Sequence, residues 1–179
     1  MIRLLRLLLY LCLLVGLGFI AASLYSPPVT VPAPPPPPLV GEVDRIVIEK
    51  SARRMRLMQD GKTVRSYKIA LGFTPEGDKL RQGDGKTPEG EFTIDRRNAE
   101  SAFHLSIGLD YPQPEDRARA AKAGYSPGGD IFIHGQPNAL PEGLKIKGDW
   151  TAGCIAVSNA EIEEIWAVTP IGTKVEVLP

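Results

Sequence analysis

Cysteine and histidine are scarce in this chain of 179 residues, which has two of each. Cys12 lies in an N-terminal apolar run, so Cys154 is the one thiol beyond it and no disulfide can form within the remainder. With His104 and His134 as the only imidazoles, and no close ligand spacing, the pattern of a zinc site is missing and no metal is expected. An excess of positive charge is also absent. The 21 basic residues balance 21 acidic ones, and only Arg3 and Arg6 precede Arg45, which excludes the strongly basic face of a nucleic-acid-binding protein. The glycines of Gly83–Gly90, "GDGKTPEG", have the wrong spacing for a phosphate-binding P-loop and mark a loop instead.

Charge is missing altogether from Leu7 to Tyr25, an apolar run long enough to cross a bilayer as a helix. Arg3 and Arg6 before it favour a cytoplasmic N-terminus. A cleaved signal peptide is the alternative, with Ala21-Ala22-Ser23 as a small-residue cleavage site. Either way, the chain beyond Tyr25 is expected outside the cytoplasm: anchored in the inner membrane and facing the periplasm or cell-wall space, or exported as a soluble form. Residues 1–26 are thus read as a signal anchor or signal peptide, and 27–44 as a linker. Eight of the twelve residues from Pro27 to Pro38 are proline, which favours an extended spacer about 35–40 Å long.

From Arg45 to the end, residues 45–179, the pattern is one domain made mostly of strands. "RIVIEK" is one; "RRMRLMQ" and "KTVRSYKIAL" flank Asp60-Gly61, a dipeptide suited to a tight hairpin turn. "EFTI", "FHLSIG", "IFIH", "CIAV" and "TKVEVL" add five more. Helices are expected over Pro114–Lys122, stopped by Gly124, and from the capping-box pair Ser158 and Glu161 to about Val168. The fold class is mainly β with a minor α component, a mixed-sheet sandwich or flattened barrel with one or two short helices.

The chemistry concentrates between Asp130 and Val157. A free thiol is only a few per cent ionised at neutral pH, so a working cysteine needs a base beside it. His134 closes one short apolar run and Cys154 opens another, and adjacent strands would bring imidazole and thiol within reach. Gly153 lets the backbone turn sharply and aim N–H groups, with that of Cys154, at a developing oxyanion. Trp150 is expected to pack, with a wall of the substrate groove as the alternative. His104, beside Ser106, is expected to be an ordinary exposed or half-buried side chain.

His134-Gly135, a loop, then Thr151-x-Gly153-Cys154 and an apolar residue resembles the signature of the L,D-transpeptidase catalytic domain, the YkuD-type domain, over about Arg45–Val177. The resemblance implies Cys154 as acyl-accepting nucleophile, His134 as base and Gly135 as the residue whose carbonyl orients the imidazole. Thr151, Ala152 and Gly153 fall on the nucleophile loop. Two departures stand out: the family often has histidine where Ala152 stands and arginine where Ala156 stands. The second leaves recognition of a substrate carboxylate unassigned. The family further implies cofactor-free attack on peptidoglycan stem peptides through a Cys154 thioester, making 3–3 cross-links. Hydrolysis, transfer to or from a wall-attached lipoprotein, and an idle wall-binding domain are the alternatives.

Overall fold

The computed structural model describes residues 2–25, 37–141 and 143–179, so most of the expected proline spacer lies outside the described residues. The chain divides into two units, Met1–Pro37 and Pro38–Pro179. In the first, α1 (Ile2–Leu24) is apolar on all sides beyond Arg6 and, over Ile2–Ala22, has a mean hydropathy of 2.4 with nothing buried. A helix without a polar face has no side to turn to water, and this one is long and apolar enough to cross a membrane.

The second unit is built on eight strands: β1 (Arg45–Glu49), β2 (Arg54–Gln59), β3 (Lys62–Lys68), β4 (Gly90–Ser101), β5 (His104–Leu109), β6 (Phe132–His134), β7 (Ile155–Ala156) and β8 (Lys174–Leu178). They form one mixed sheet in the order β3-β2-β1-β8-β4-β5-β6-β7. β1 with β8 and β6 with β7 are parallel; the other pairs are antiparallel. The twelve-residue β4 is the hinge of the architecture. Its start pairs with β8 and its remainder with β5, so it belongs to both halves. Beyond β3, isolated bridges join Ala70 to Ala156 and Gly72 to Thr151. These return the edge of one half to β7 and flatten the sheet into a nearly closed barrel, which leaves few open edges.

Local sequence accounts for the connections. Asp60 and Gly61 both take positive φ, 49° and 73°, the geometry that lets a two-residue turn follow the strand twist. β1 differs from a half-buried strand: Ile46, Val47 and Ile48 are all buried, because β1 lies between β2 and β8 and is covered on both faces.

Two helices complete this unit. In α2 (Pro114–Ala123) the chain stops at Gly124, whose left-handed φ of 76° a glycine adopts without strain. Instead of forming only a rim, α2 buries Ala120, and Arg119 donates to Lys79 O at 3.0 Å, so it braces the loop before β4. In α3 (Asn159–Val168) Ser158 and Glu161 make the reciprocal capping box, and Ile162, Ile165 and Val168 are buried in the core with Ile107, Ile133 and Ile155. Trp166 stays partly buried, with the Arg97 guanidinium 3.9 Å from its ring centroid.

Candidate active site

β6 and β7 run side by side in parallel, with Ile133 opposite Ile155 and His134 opposite Ala156. Side chains alternate along strands, so Ile133 and Ile155 enter the core while Phe132, His134, Cys154 and Ala156 share the other face. Thus the histidine and the cysteine, twenty residues apart in sequence, lie diagonally on adjacent strands.

His134 is buried and held on three sides. Its Nδ1 donates to Gly135 O at 2.7 Å, which requires the proton on Nδ1 and leaves the lone pair on Nε2. Phe103 lies against the ring at 4.6 Å between centroids, and Trp150 meets it edge-on at 5.7 Å. Trp150 therefore packs as expected, against Phe103 and His134, and its buried Nε1 has no hydrogen-bond partner among the described residues. Gly135 needs to be glycine: a Cβ there would meet Asn159 Oδ1 at 2.7 Å and Phe103 O at 3.0 Å.

The nucleophile loop is clamped from its start. Asp149 accepts Leu71 N–H at 2.9 Å through Oδ1, and Arg53 Nε and Nη2 at 3.0 and 2.9 Å through Oδ2. Thr151 then pairs with its neighbours through Thr151 N to Leu71 O and Phe73 N to Thr151 O. Its hydroxyl donates to Cys154 O at 2.7 Å and accepts Gly153 N–H at 3.1 Å. In this state, then, the Gly153 N–H is taken up by a local serine/threonine-type turn and is not aimed into the cleft as expected. Gly153 has φ 138°, and a Cβ on it would meet Lys86 O at 2.6 Å.

Three glycine backbones meet beneath the thiol, since a Cβ on Gly72 would lie 2.1 Å from Gly85 O and 3.1 Å from Gly153 Cα. Gly72→Ala is expected to force the 85–86 segment and the nucleophile loop apart and to cost about 2–4 kcal/mol, as overpacking of backbone against backbone does. Urea titration of the isolated second unit checks this; an unchanged midpoint would show that the junction yields freely.

Cys154 is partly buried. Its sulfur donates to Asp130 O at 3.3 Å, and no thiol–imidazole hydrogen bond forms among the described residues in this state. Burial pushes the Cys154 thiol above its ordinary value, opposed by a backbone hydrogen bond from Phe132 and by the charges of Lys79 and Arg96, while Asp130 adds to the rise. Burial likewise pushes His134 below its ordinary value, partly offset by the bond to Gly135 O. Both directions favour the neutral thiol and the neutral imidazole as the resting pair.

These directions set a pH dependence of stability. Below about pH 6.5 the unfolded chain protonates His134 while the folded one resists, so stability falls as pH drops; above about 8.5 the unfolded thiol ionises first, so stability falls as pH rises. Urea midpoints of His134→Gln should lack part of the acid decline between about pH 5 and 6.5, and those of Cys154→Ser part of the alkaline one. Parallel profiles for wild type and both variants would refute the assignment.

Cys154 and Ala152 border a cleft of about 480 Å³ together with Lys79, Gln82, Asp130 and Ile131. The loop behind it is rigidly built. Burial acts to raise the Asp84 carboxyl, but the Arg81 N–H, the Lys79 ammonium and the Leu80 and Lys86 N–H groups together bring it down to about 2. A larger cleft of about 600 Å³, bordered by His104, Asn138, Leu144, Lys145 and Glu163, is touched by neither Cys154 nor His134. There His104 takes φ 68° and donates Nε2–H to Glu163 Oε1 at 2.7 Å. Of the charged groups ordering the site, Arg53 and Asp149 pair only because folding brings them together, whereas Lys79 and Asp84 pair within one loop, five residues apart.

Residues 43–177 match the model of the YkuD L,D-transpeptidase catalytic domain. The chain belongs to this family. Among its relatives are the Escherichia coli (strain K12) protein YafK, assigned as an L,D-transpeptidase, with 31% identity over 103 residues, 56% of this chain and 35% of YafK. Bacillus subtilis (strain 168) YqjB, assigned likewise, is 26% identical over 142 residues, 77% of this chain and 72% of YqjB. The crystal structure of the helical cell shape determining protein Pgp2 from Campylobacter jejuni superimposes with a TM-score of 0.60 and 28% identity, covering 76% of this chain and 48% of Pgp2. The chain thus spans about a third of YafK and about half of Pgp2. The mainly β architecture with short helices is that of the L,D-transpeptidases.

Proposed function

We propose that this YkuD-family domain is an extracytoplasmic L,D-transpeptidase that acts on peptidoglycan stem peptides through a Cys154 thioester. The observation that carries the reading is the lock on His134. Gly135 O holds the proton on Nδ1, which leaves Nε2 as a base on the face that Cys154 shares.

In the proposed reaction, rotation about the Cys154 Cα–Cβ bond moves the sulfur from Asp130 O toward Nε2. The sulfur attacks the carbonyl carbon of the third stem residue at its L-centre, and the thiol proton passes to Nε2. The Cys154 backbone N–H faces the developing oxyanion. The C–N bond to the terminal D-alanine breaks, its amine leaves with the proton from His134, and a thioester remains. A side-chain amine of a neighbouring stem loses a proton to Nε2, attacks the thioester and forms a 3–3 cross-link while the thiol is restored. No metal or organic cofactor enters these steps. The apolar α1 supports anchoring in the inner membrane, with residues 27–44 as linker and 45–179 as the working domain at the cell wall.

Incubating the purified domain with disaccharide-tetrapeptides is expected to yield dimers one D-alanine lighter per cross-link by mass spectrometry. Tripeptide without dimer would replace transfer to an amine by hydrolysis. Transfer to or from a wall-attached lipoprotein would show instead as a lipoprotein-peptide product or its release. No change in any stem peptide would favour an idle wall-binding domain.

A further inference from the structure

Ala156 occupies the position where the family often has an arginine, and the structure leaves no place for a longer side chain's function there. Ala156 is 1% exposed and is bonded to Ala70 through both its N–H and its carbonyl. A cation for an anionic substrate group must come from elsewhere. The buried Lys79 borders the thiol cleft, but its ammonium is engaged by Asp84 Oδ1 at 2.8 Å and Arg81 O at 3.3 Å.

Sheet register supplies another cation. Arg96 of β4 pairs with Gly108 of β5, Gly108 with Phe132 of β6, and one step back along the parallel β6/β7 register Phe132 lies beside Cys154. These four residues form one row on the face that carries the thiol. The next residue, Arg97, goes to the opposite face and stacks on Trp166 of α3, which confirms the side to which Arg96 belongs. A β-bulge between Ile94 and Arg96 sets this alternation.

Arg96 lies directly across Gly108, since a Cβ on Gly108 would meet Arg96 Cγ at 2.6 Å and Nε at 2.8 Å. Its guanidinium carbon comes to rest 4.5 Å from the Phe132 ring centroid. Nη1 is bound to Asp95 and Leu109 O, whereas among the described residues Nη2 makes only a 3.5 Å contact with Asp130, whose side chain is 91% exposed. That contact is long and yields readily to a better acceptor.

We propose that Arg96 is the carboxylate-binding residue of the Cys154 site, receiving the C-terminal carboxylate of the acyl donor on Nη2 in exchange for Asp130. This rests on the transpeptidase reading, in which the leaving D-alanine carries that carboxylate next to the scissile amide. The stacked guanidinium is preorganised by Phe132 and presents a planar donor edge, the geometry that suits a carboxylate. Arg96 thereby selects donors and does not itself handle the reacting proton.

The test compares a tetrapeptide ending in a free carboxylate with its C-terminal carboxamide, and iodoacetate with iodoacetamide as thiol probes, on the folded domain. Wild type should prefer the carboxylate peptide by about 10–100-fold in kcat/KM, the range for a lost charge-assisted contact. Arg96→Gln should remove that preference, lowering carboxylate turnover about 10–100-fold more than carboxamide turnover, and Gly108→Ala, which displaces the arginine without deleting it, should narrow it in the same direction. Asp130→Asn should strengthen the preference. In parallel, Arg96→Gln should slow alkylation of Cys154 by iodoacetate relative to iodoacetamide about threefold or more, a readout that needs no turnover. Equal losses on both peptides, or an unchanged alkylation ratio with retained preference, would overturn the assignment of Arg96. Wild type that turns over neither peptide would overturn the transpeptidase reading and this assignment with it, even with the alkylation ratio shifted.

Discussion

Cys154→Ala is expected to abolish covalent acyl-enzyme formation altogether, the largest single effect in this protein. A carbapenem, an acylating agent that the family resemblance implies, should add once to wild-type domain by intact-protein mass and not at all to the variant. The side chain is partly buried and donates one hydrogen bond, to Asp130 O, so its loss should leave the fold intact. A matching urea midpoint at neutral pH would separate lost chemistry from lost structure. An adduct retained by a folded Cys154→Ala domain would place the nucleophile elsewhere and sink the site.

The second large effect belongs to His134. With the thiol raised by burial and the imidazole lowered by it, the proposed reaction gives the histidine the work of taking the proton during attack, not of stabilising a standing thiolate. Removing it in His134→Ala should slow carbapenem acylation at neutral pH by about 10²–10⁴-fold, the reach of general-base catalysis. Raising the pH toward the ordinary thiol value of about 8.5 should recover part of that rate in His134→Ala and none in Cys154→Ala. The control is His104→Asn. Asparagine tolerates the positive φ of this position, whereas alanine would mix strain into the result. Equal losses in both histidine variants, with both folded, would show that the base has been misassigned.

Gly135→Ala should mimic part of the His134 defect for a different reason. The added methyl meets Asn159 Oδ1 and Phe103 O, so it disturbs the carbonyl that orders the imidazole without touching the ring. Charged residues around the loop act further back still: Asp149 ties the loop start to Leu71 and Arg53, and Asp84 is pinned by three backbone N–H groups and Lys79.

Much of this was legible in the sequence because it is local. The Asp60-Gly61 turn needs only two residues that accept positive φ, the α3 start only Ser158 and Glu161 three apart, and the α2 stop only Gly124. The candidate cysteine and histidine stood out through scarcity and through the short apolar runs beside them. The apolar N-terminal helix came from uncharged length alone.

What sequence could not decide was which distant segments meet, since pairing depends on the free energy of the whole sheet and not on any window of it. The burial of both faces of β1, the bridges from Ala70 and Gly72 to β7, and the sharing of β4 between two halves arise only when the barrel closes. The same closure turns Arg53 and Asp149, ninety-six residues apart, into a clamp on the nucleophile loop. It also lays Arg96 across the bare backbone of Gly108 toward Phe132, a position that nothing in the sequence "DRRNAES" distinguishes from that of Arg97. By itself the sequence determined the chemistry available, one thiol beyond the apolar N-terminal run and two histidines, one of them closing a short apolar run. The tertiary structure alone decided the tautomer, the neutral resting pair and the sheet face that carries Arg96, because each depends on burial and on contacts made across strands.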